Sequence, residues 1–491
     1  MEASFGFDAG AKKRGETIPV TWNEDAAING HGAIFGMTGS GKTHRLRELI
    51  SQMSKSSIGK ARFHIFDVHG DISLPGASSV LFSEQTAWGI NPLKVNPDPH
   101  FGGLRKCVQD FISTINRVMH NIGPKQEAAL RNLVYDVFAR YGFKQDDPST
   151  WVVGDDSARL ISDGSDGRLY LDVPLGEKDD AKALGARWDA QVKCWWIPTG
   201  EYAGGITRWP PKTLTRTHPS VADLTHYARH VLQMSFLGTG ISAVSNLEAV
   251  NKAAAAYHRK LLEALRRGDK GFVDEKLEDS KEKAKIRAID AFIAYAESIS
   301  TGRELADVLK YDSTEVLKSV VDRLENLIAI GIFKSTPPPF DHRSSIWHYN
   351  ITPLRVEERK LFVFFRLAEI FAAGVQRGEQ EHIHDVIILD EAGAYADEDP
   401  KNIINILANE SRKFGISLFC ASQNPAHFSE DFLSAVATKI ILGIDEMHWG
   451  AASRKMRAPE EGLKWIKPRK SALVQIKTKG DSKSDWKWVV F

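Results

Sequence analysis

The hydrophobic pattern falls into three blocks. In the first hundred residues, short apolar runs at 33–35 and 61–68 flank a helix-period segment carrying Leu46, Leu49 and Ile50. Runs of this length, bounded by glycine and followed by an amphipathic stretch, predict core strands of a parallel sheet with a helix laid over them. Residues 17–22 predict an edge strand, because Pro19 sits among β-branched neighbours. Residues 79–82 predict another short strand, and the rest of 1–31 reads as a lead-in. From about 103 the period becomes helical, with Val108, Phe111, Ile112, Ile115 and Val118, then Leu130, Leu133, Val134 and Val137. Helices are predicted again over 219–236, 242–267, 276–299 and 314–331, and the prolines 337, 338 and 339 end the block. Alternation then returns, with strands over 346–351, 384–389, 416–420 and 439–444, helices over 359–375, 402–414 and 432–437, and an antiparallel pair over 471–477 and 486–491. The fold class is α/β. A core built from 1–102 and 341–491 is expected, interrupted by an inserted, mainly helical domain over 103–340.

One stretch inside that insertion differs. Residues 168–174 read as a strand, 177–184 as a short helix, and Arg187-Trp188 with Cys194-Trp195-Trp196-Ile197-Pro198 as extended pieces, which gives a small α+β module over 168–198. Two readings of its aromatic residues compete. Beside Lys178, Lys182, Arg187 and Lys193 they suit a stacking surface for nucleic acid. Alternatively they are the bulk that so small a unit needs for a core, and Trp188 is assigned to that core, leaving one of Trp195 and Trp196 exposed.

Length and composition narrow the class. A chain of 491 residues predicts two or three domains. No apolar run reaches the roughly 18 residues that cross a bilayer, and the first residues show no secretory pattern. Cys107, Cys194 and Cys420 are isolated, which argues for a reducing cytosol and against disulfides or a zinc site. Net charge is +1, so the whole chain does not advertise nucleic-acid binding. Residues 454–491, however, hold eleven Lys/Arg against four Asp/Glu, which fits either a DNA or partner surface or a lysine-protected edge.

The chemistry concentrates at residues 36–43, Gly-Met-Thr-Gly-Ser-Gly-Lys-Thr, between a strand and a helix. This is the G-x-x-x-x-G-K-[ST] phosphate loop in the context that gives it meaning. Gly36, Thr38, Gly39, Ser40 and Gly41 let backbone N–H groups close on a polyphosphate, and the following helix adds its positive end. Lys42 reaches the β/γ-phosphates, and the Thr43 hydroxyl suits Mg²⁺. Far downstream, the apolar strand 386–389 delivers Asp390, suited to Mg²⁺, and Glu391, suited as general base for water. Gln423, after the next strand, can sense a γ-phosphate. Arg412 precedes that strand and is either an arginine finger for a neighbouring subunit or a helix-end charge. Asp67 either lies near nucleotide and metal or caps the turn that follows it. His382 and His384 lack carboxylate partners in register and are not read as a metal site.

These motifs resemble those of the HerA/FtsK-type additional-strand, RecA-like P-loop ATPases, and most nearly conjugative coupling proteins of the TraG type and type IV secretion ATPases. The matching pieces are Gly36–Thr43, Phe66-Asp-Val-His-Gly-Asp71, Ile90-Asn-Pro-Leu93, Ile387-Ile-Leu-Asp-Glu-Ala392, and Arg412-Lys-Phe-Gly415 leading to Ala421-Ser-Gln-Asn-Pro425. The resemblance implies a hexameric ring that hydrolyses ATP with Mg²⁺ between subunits and moves DNA. Lys42 and Thr43 would bind phosphate and metal, Asp390 and Glu391 would handle metal and water, Gln423 would be the sensor and Arg412 the finger. DNA, further copies of the chain, and relaxase or secretion components or a defence effector are the implied partners, in the cytoplasm with recruitment to the membrane. A HerA-like DNA-processing or antiphage translocase and a nucleotide-gated scaffold are the other readings. The module over 168–198 resembles one that recurs in plasmid and mobile-element proteins, including primase-like ones, and is not a standard part of the ATPase family.

Overall fold

The computed structural model describes all residues except 120–121, 154–167, 190–193, 199–200, 203, 210–216, 238–239, 270, 299–309, 312 and 482. Lys193 of the small module therefore lies outside the described residues. The chain divides into two compact units, one of residues 1–92, 113–120 and 327–491, the other of 93–112 and 121–326. In chain order the described strands are β1 (Glu2–Asp8), β2 (Pro19–Asn23), β3 (Gly32–Phe35), β4 (Arg62–Asp67), β5 (Ser78–Leu81), β6 (Arg168–Leu171), β7 (Arg187–Asp189), β8 (Cys194–Pro198), β9 (Ile346–Asn350), β10 (Asp385–Leu389), β11 (Ile416–Ser422), β12 (Thr438–Ile441), β13 (Ser471–Ile476) and β14 (Lys487–Val490).

The first unit is built on an eleven-stranded sheet in the order β2-β1-β14-β13-β12-β3-β11-β10-β4-β9-β5. From β12 to β5 every neighbouring pair is parallel. The remaining pairs, out to β2, are antiparallel. The parallel strands are apolar on both faces because both are covered. On one face Phe63, Ile65, Val386, Ile388 and Ile34 pack with Leu46, Leu49, Ile50 and Met53 of the helix Lys42–Ser57. On the other, Phe66, Phe82, Tyr349 and Phe362 stack among themselves, Phe362 coming from the helix Val356–Arg377. Gly32 marks where the sheet is tightest: a Cβ there would stand 2.1 Å from the Phe419 ring.

Four elements differ from the sequence expectation. The lead-in contains β1, a strand that sits between β2 and β14; its alternation is short and interrupted by Gly6 at φ +125°, where the ladder shifts register. Pro19–Asn23 is the edge strand that Pro19 predicted. The helix expected over 402–414 ends at Glu410 and tightens into a 3-10 turn over Ser411–Phe414, closed by Gly415 at φ +70°. Two short helices, Trp449–Met456 and Glu460–Trp465, fill a stretch with too few apolar residues to show a period.

The second unit is mainly helical, with Pro124–Arg140, Val221–Leu237 and a hairpin of Gly240–Arg266 and Glu275–Ser298. It carries the small three-stranded sheet β6-β8-β7. Leu171, Ala181, Ala186, Ile197, Ile206 and Trp209 form that module's core. Trp188 is 52% exposed, contrary to expectation, because the core tryptophan is Trp209, whose Nε1 donates to Glu177 at 2.6 Å. Trp196 is half-buried, with Arg168 and Arg187 lying over its ring at 4.6 and 5.4 Å.

His31 ties the core to pH. It is fully buried before β3, and its Nδ1 accepts the Leu418 N–H at 3.1 Å, which requires the neutral ring. Burial, with a smaller contribution from Arg412, lowers its pKa to about 4. The unfolded chain therefore binds the proton first, and stability falls as pH drops from about 6.5 to about 4. Urea unfolding at pH 7 and pH 4.5 is expected to show a loss of roughly 2–3 kcal/mol from this group, absent in His31→Gln.

Candidate nucleotide site

The C-terminal ends of β3, β11, β10 and β4 meet along one edge, because the register aligns Phe35 with Ser422, and Leu389 with both Cys420 and Phe66. Ligands of open α/β sheets bind at that edge. The loop after β3 is held from both sides: Gly36 N–H donates to Ser422 O at 3.0 Å and Met37 N–H to Gly443 O at 2.8 Å. Gly39 and Gly41 adopt φ of +83° and +96°, a region that residues with a Cβ rarely adopt. Among the described residues, the N–H groups of Gly39, Gly41, Lys42 and Thr43 have no protein acceptor. Thr38 is exposed, Ser40 is buried with an unpartnered hydroxyl, and Thr43 is half-buried on the first turn of the helix.

Three sequence-predicted residues come together here. The Lys42 ammonium contacts Glu391 Oε1 at 2.5 Å, and the Gln423 amide donates to the same oxygen at 3.3 Å. Glu391 has φ +48°, a strained conformation for a residue with a long side chain. It turns the chain sharply after β10 and keeps the carboxylate over the loop. Asp390 is 1% exposed, and its Oδ1 has no hydrogen-bond partner among the described residues. Burial pushes the Asp390 carboxyl up to about 6; Lys42 opposes the rise and the Glu391 charge adds to it.

Asp67 fulfils its capping reading and also lies beside the site. Its carboxylate accepts the N–H groups of His69 (3.0 Å), Gly70 (2.7 Å) and Ile72 (2.8 Å), and His348 Nε2 lies 3.0 Å away. Burial favours the neutral acid, but His348 and those three N–H groups outweigh it and hold Asp67 at about 2. Carboxylate oxygens of Asp67, Asp71 and Asp390 lie within 4.8 Å of one another; Asp67 is taken up by its four donors, which leaves Asp71 and Asp390 to offer oxygen to a hard divalent cation. The bare Asp390 oxygen supplies the open ligand that such an ion needs, so the residues present fit Mg²⁺.

Arg412 does not join this group. It is exposed in the turn before β11, whereas Gln423 follows the same strand. Seven residues of β11, roughly 20 Å, separate the two edges. There Arg412 and Lys413 line a cavity of about 930 Å³ with Glu24, Glu379, Glu381 and Glu410. Sequence reasoning missed three residues at the loop's own edge: His69, whose Nε2 stands 4.0 Å from Glu391, Asp71, and Arg469, which contacts the phosphate loop itself. Asp71 and His69 sat inside a recognised motif; Arg469 carried no signal beyond a basic tail.

Parts of the chain are similar to known proteins. Residues 9–100 match the family model described as the central domain of helicase HerA. The DNA double-strand break repair helicase HerA of Pyrococcus furiosus is 41% identical over 63 residues, 12% of this chain and 11% of that protein. Within the α/β unit the similarity to the HerA central domain thus spans the phosphate-loop strand and helix and the strand that ends at Asp67. VirB4 of Thermoanaerobacter pseudethanolicus shares the fold, with a TM-score of 0.53 at 14% identity over 99% of this chain and 96% of that one. Residues 168–211 match a domain of unknown function (DUF5710), and DNA primase TraC of Escherichia coli is 50% identical over 42 residues, 9% of this chain and 4% of that protein. The chain thus spans a tenth or less of the length of TraC and about a tenth of HerA. The match to residue 211 runs beyond 198 because Ile206 and Trp209 complete the module's core. Among the described residues, no helix is long and apolar enough to cross a membrane.

Asp67→Asn is expected to cost about 1–3 kcal/mol of stability at neutral pH, since the amide presents one acceptor oxygen to a nest of donors. Because the folded pKa is depressed, that contribution is complete above about pH 4 and fades as pH falls towards 2. Denaturant titrations of both proteins at pH 7 and pH 3 would measure it; equal stability at pH 7 would exclude the role.

Proposed function

We propose that the chain is an ATP-hydrolysing motor that works as a hexameric ring and moves DNA, in the manner of conjugative coupling and type IV secretion ATPases. One observation carries the reading: Lys42 and Gln423 converge on one carboxylate oxygen of Glu391 at the edge that also holds Asp390, while Arg412 stands at the opposite edge. In the same reading 1–102 and 341–491 are the motor core and 103–340 is an insertion carrying the module, whereas the compact units cut the chain at 92/93 and 326/327 and leave 113–120 with the core. In this proposal the loop's open N–H groups and Lys42 take the phosphates, and Thr43 and Asp390 hold Mg²⁺. The metal, when bound, neutralises phosphate charge.

Glu391 is the base for the attacking water. Its carboxylate is paired with Lys42. Nucleotide phosphates compete for that ammonium, and their binding releases Glu391 to take a proton from water. Gln423, already bonded to Glu391, orients that water and registers the loss of the γ-phosphate. Arg412 cannot serve its own site across the sheet, and a neighbouring copy in a ring brings it to one. The HerA match over 9–100 favours a second reading on the same machinery, a DNA-processing or defence translocase. A scaffold with little turnover needs neither Glu391 nor its release. Both motor readings place the chain in the cytoplasm with DNA and further copies as partners.

Glu391→Gln is expected to lower ATP turnover by at least about a hundred-fold while nucleotide binding persists. Turnover should rise when single- or double-stranded DNA is added; indifference to both would remove the translocase reading. Arg412→Ala should be inactive alone yet regain part of its turnover when mixed with Lys42→Ala, since mixed rings pair an intact loop with an intact finger. No recovery, or a protein that stays monomeric with ATP analogue and DNA, would exclude action between subunits.

A further inference from the structure

The turn that leads into β13 lies against the phosphate loop. Lys470 and Ser471 N–H groups both donate to Lys467 O at 3.0 Å, and the Ser471 hydroxyl accepts the Lys467 N–H at 2.7 Å. Within this turn Arg469 has φ +63°, where glycine is the default residue. Its N–H donates to Ser40 O at 3.1 Å, and its Nε to Gly39 O at 3.1 Å. Its Cγ stands 3.3 Å from the place a Cβ on Gly41 would take. Backbone and side chain together lay this arginine along residues 39–41.

The guanidinium has five N–H donors, of which Nε uses one. Among the described residues, no carboxylate is in ion-pair contact with it, whereas Lys42 is paired with Glu391 and Arg45 with Glu48. An exposed, uncompensated cation therefore sits beside a loop whose N–H groups are open.

We propose that Arg469 is a second cation of the nucleotide site, supplied by the same chain, whose terminal N–H groups donate to the phosphate oxygens of a bound nucleoside triphosphate. The proposal rests on residues 36–43 being a nucleotide site. Arg469 complements Lys42: a planar fork engages two oxygens at once, where an ammonium acts as a point charge. Lys42 is paired with Glu391, whereas no carboxylate among the described residues is in ion-pair contact with Arg469.

Arg469→Gly separates charge from scaffold, because glycine suits the φ and keeps the N–H to Ser40. Titration of the full chain with fluorescent mant-ATP and Mg²⁺ is expected to show binding weakened about ten- to a hundred-fold in this variant, with an unfolding midpoint no lower than native. Arg469→Lys should recover part of the affinity, and the deficit should shrink with mant-AMP, which offers fewer oxygens. Native-like mant-ATP affinity in Arg469→Gly overturns the proposal, as does a lowered midpoint that Arg469→Lys fails to restore. Native protein that binds no mant-ATP overturns the nucleotide reading itself, and the proposal with it.

Discussion

The site depends on the lateral register of four buried strands, β3, β11, β10 and β4. Contacts among the site residues, such as Lys42 with Glu391, tie these ends together only after that register has set them side by side. Val386, Ile387, Ile388 and Leu389 are fully buried, as are Phe63, Ile65, Phe66, Leu418 and Phe419 around them. Each such side chain contributes about 1.5–3 kcal/mol when taken from water, and a one-residue slip would turn every one of them to the wrong face. The register is therefore held by many side chains that never meet a ligand. Gly36, Gln423, Asp390 and Asp67 inherit their places from it.

Within that frame, two neighbouring carboxylates are driven in opposite directions. Asp67 has its acceptor capacity filled by three N–H groups and a histidine, which fixes it as an anion and fixes the turn behind it. Asp390 is as deeply buried but keeps an oxygen bare, and burial raises its pKa. One acid is committed to architecture and the other is left in need of a cation. Glu391 stands between these states, paired with Lys42 and so both stabilised and occupied.

Much of this was legible in the sequence because local rules and the fold agree there. The phosphate loop, the Asp390-Glu391 strand and the Gln423 strand each combine an apolar run of strand length with polar residues at its end, and such a pattern has few other meanings. The edge position of Pro19–Asn23 followed from a missing donor. What stayed hidden was set by partners distant in sequence. β1 has too short an alternation to declare itself, and it is ordered by pairing with a strand at the other end of the chain. Trp188 and Trp209 look alike in a list of aromatics, and only the packing of the module decides which one is buried. Arg469 sits in a basic tail whose charge suggests solvent, and only the strained turn reveals what it touches.

The splitting of the parallel sheet also constrains how the chain is made. β4 lies between β9 and β10, pairing Phe63 with Ile346 and with Val386, so a strand synthesised early is completed only after the whole helical insertion has left the ribosome. Until then β3 and β4 present open ladders and apolar faces, a template for association with other nascent chains. The long insertion thus sets a waiting time during synthesis, in which the most hydrophobic part of the molecule has no partner of its own.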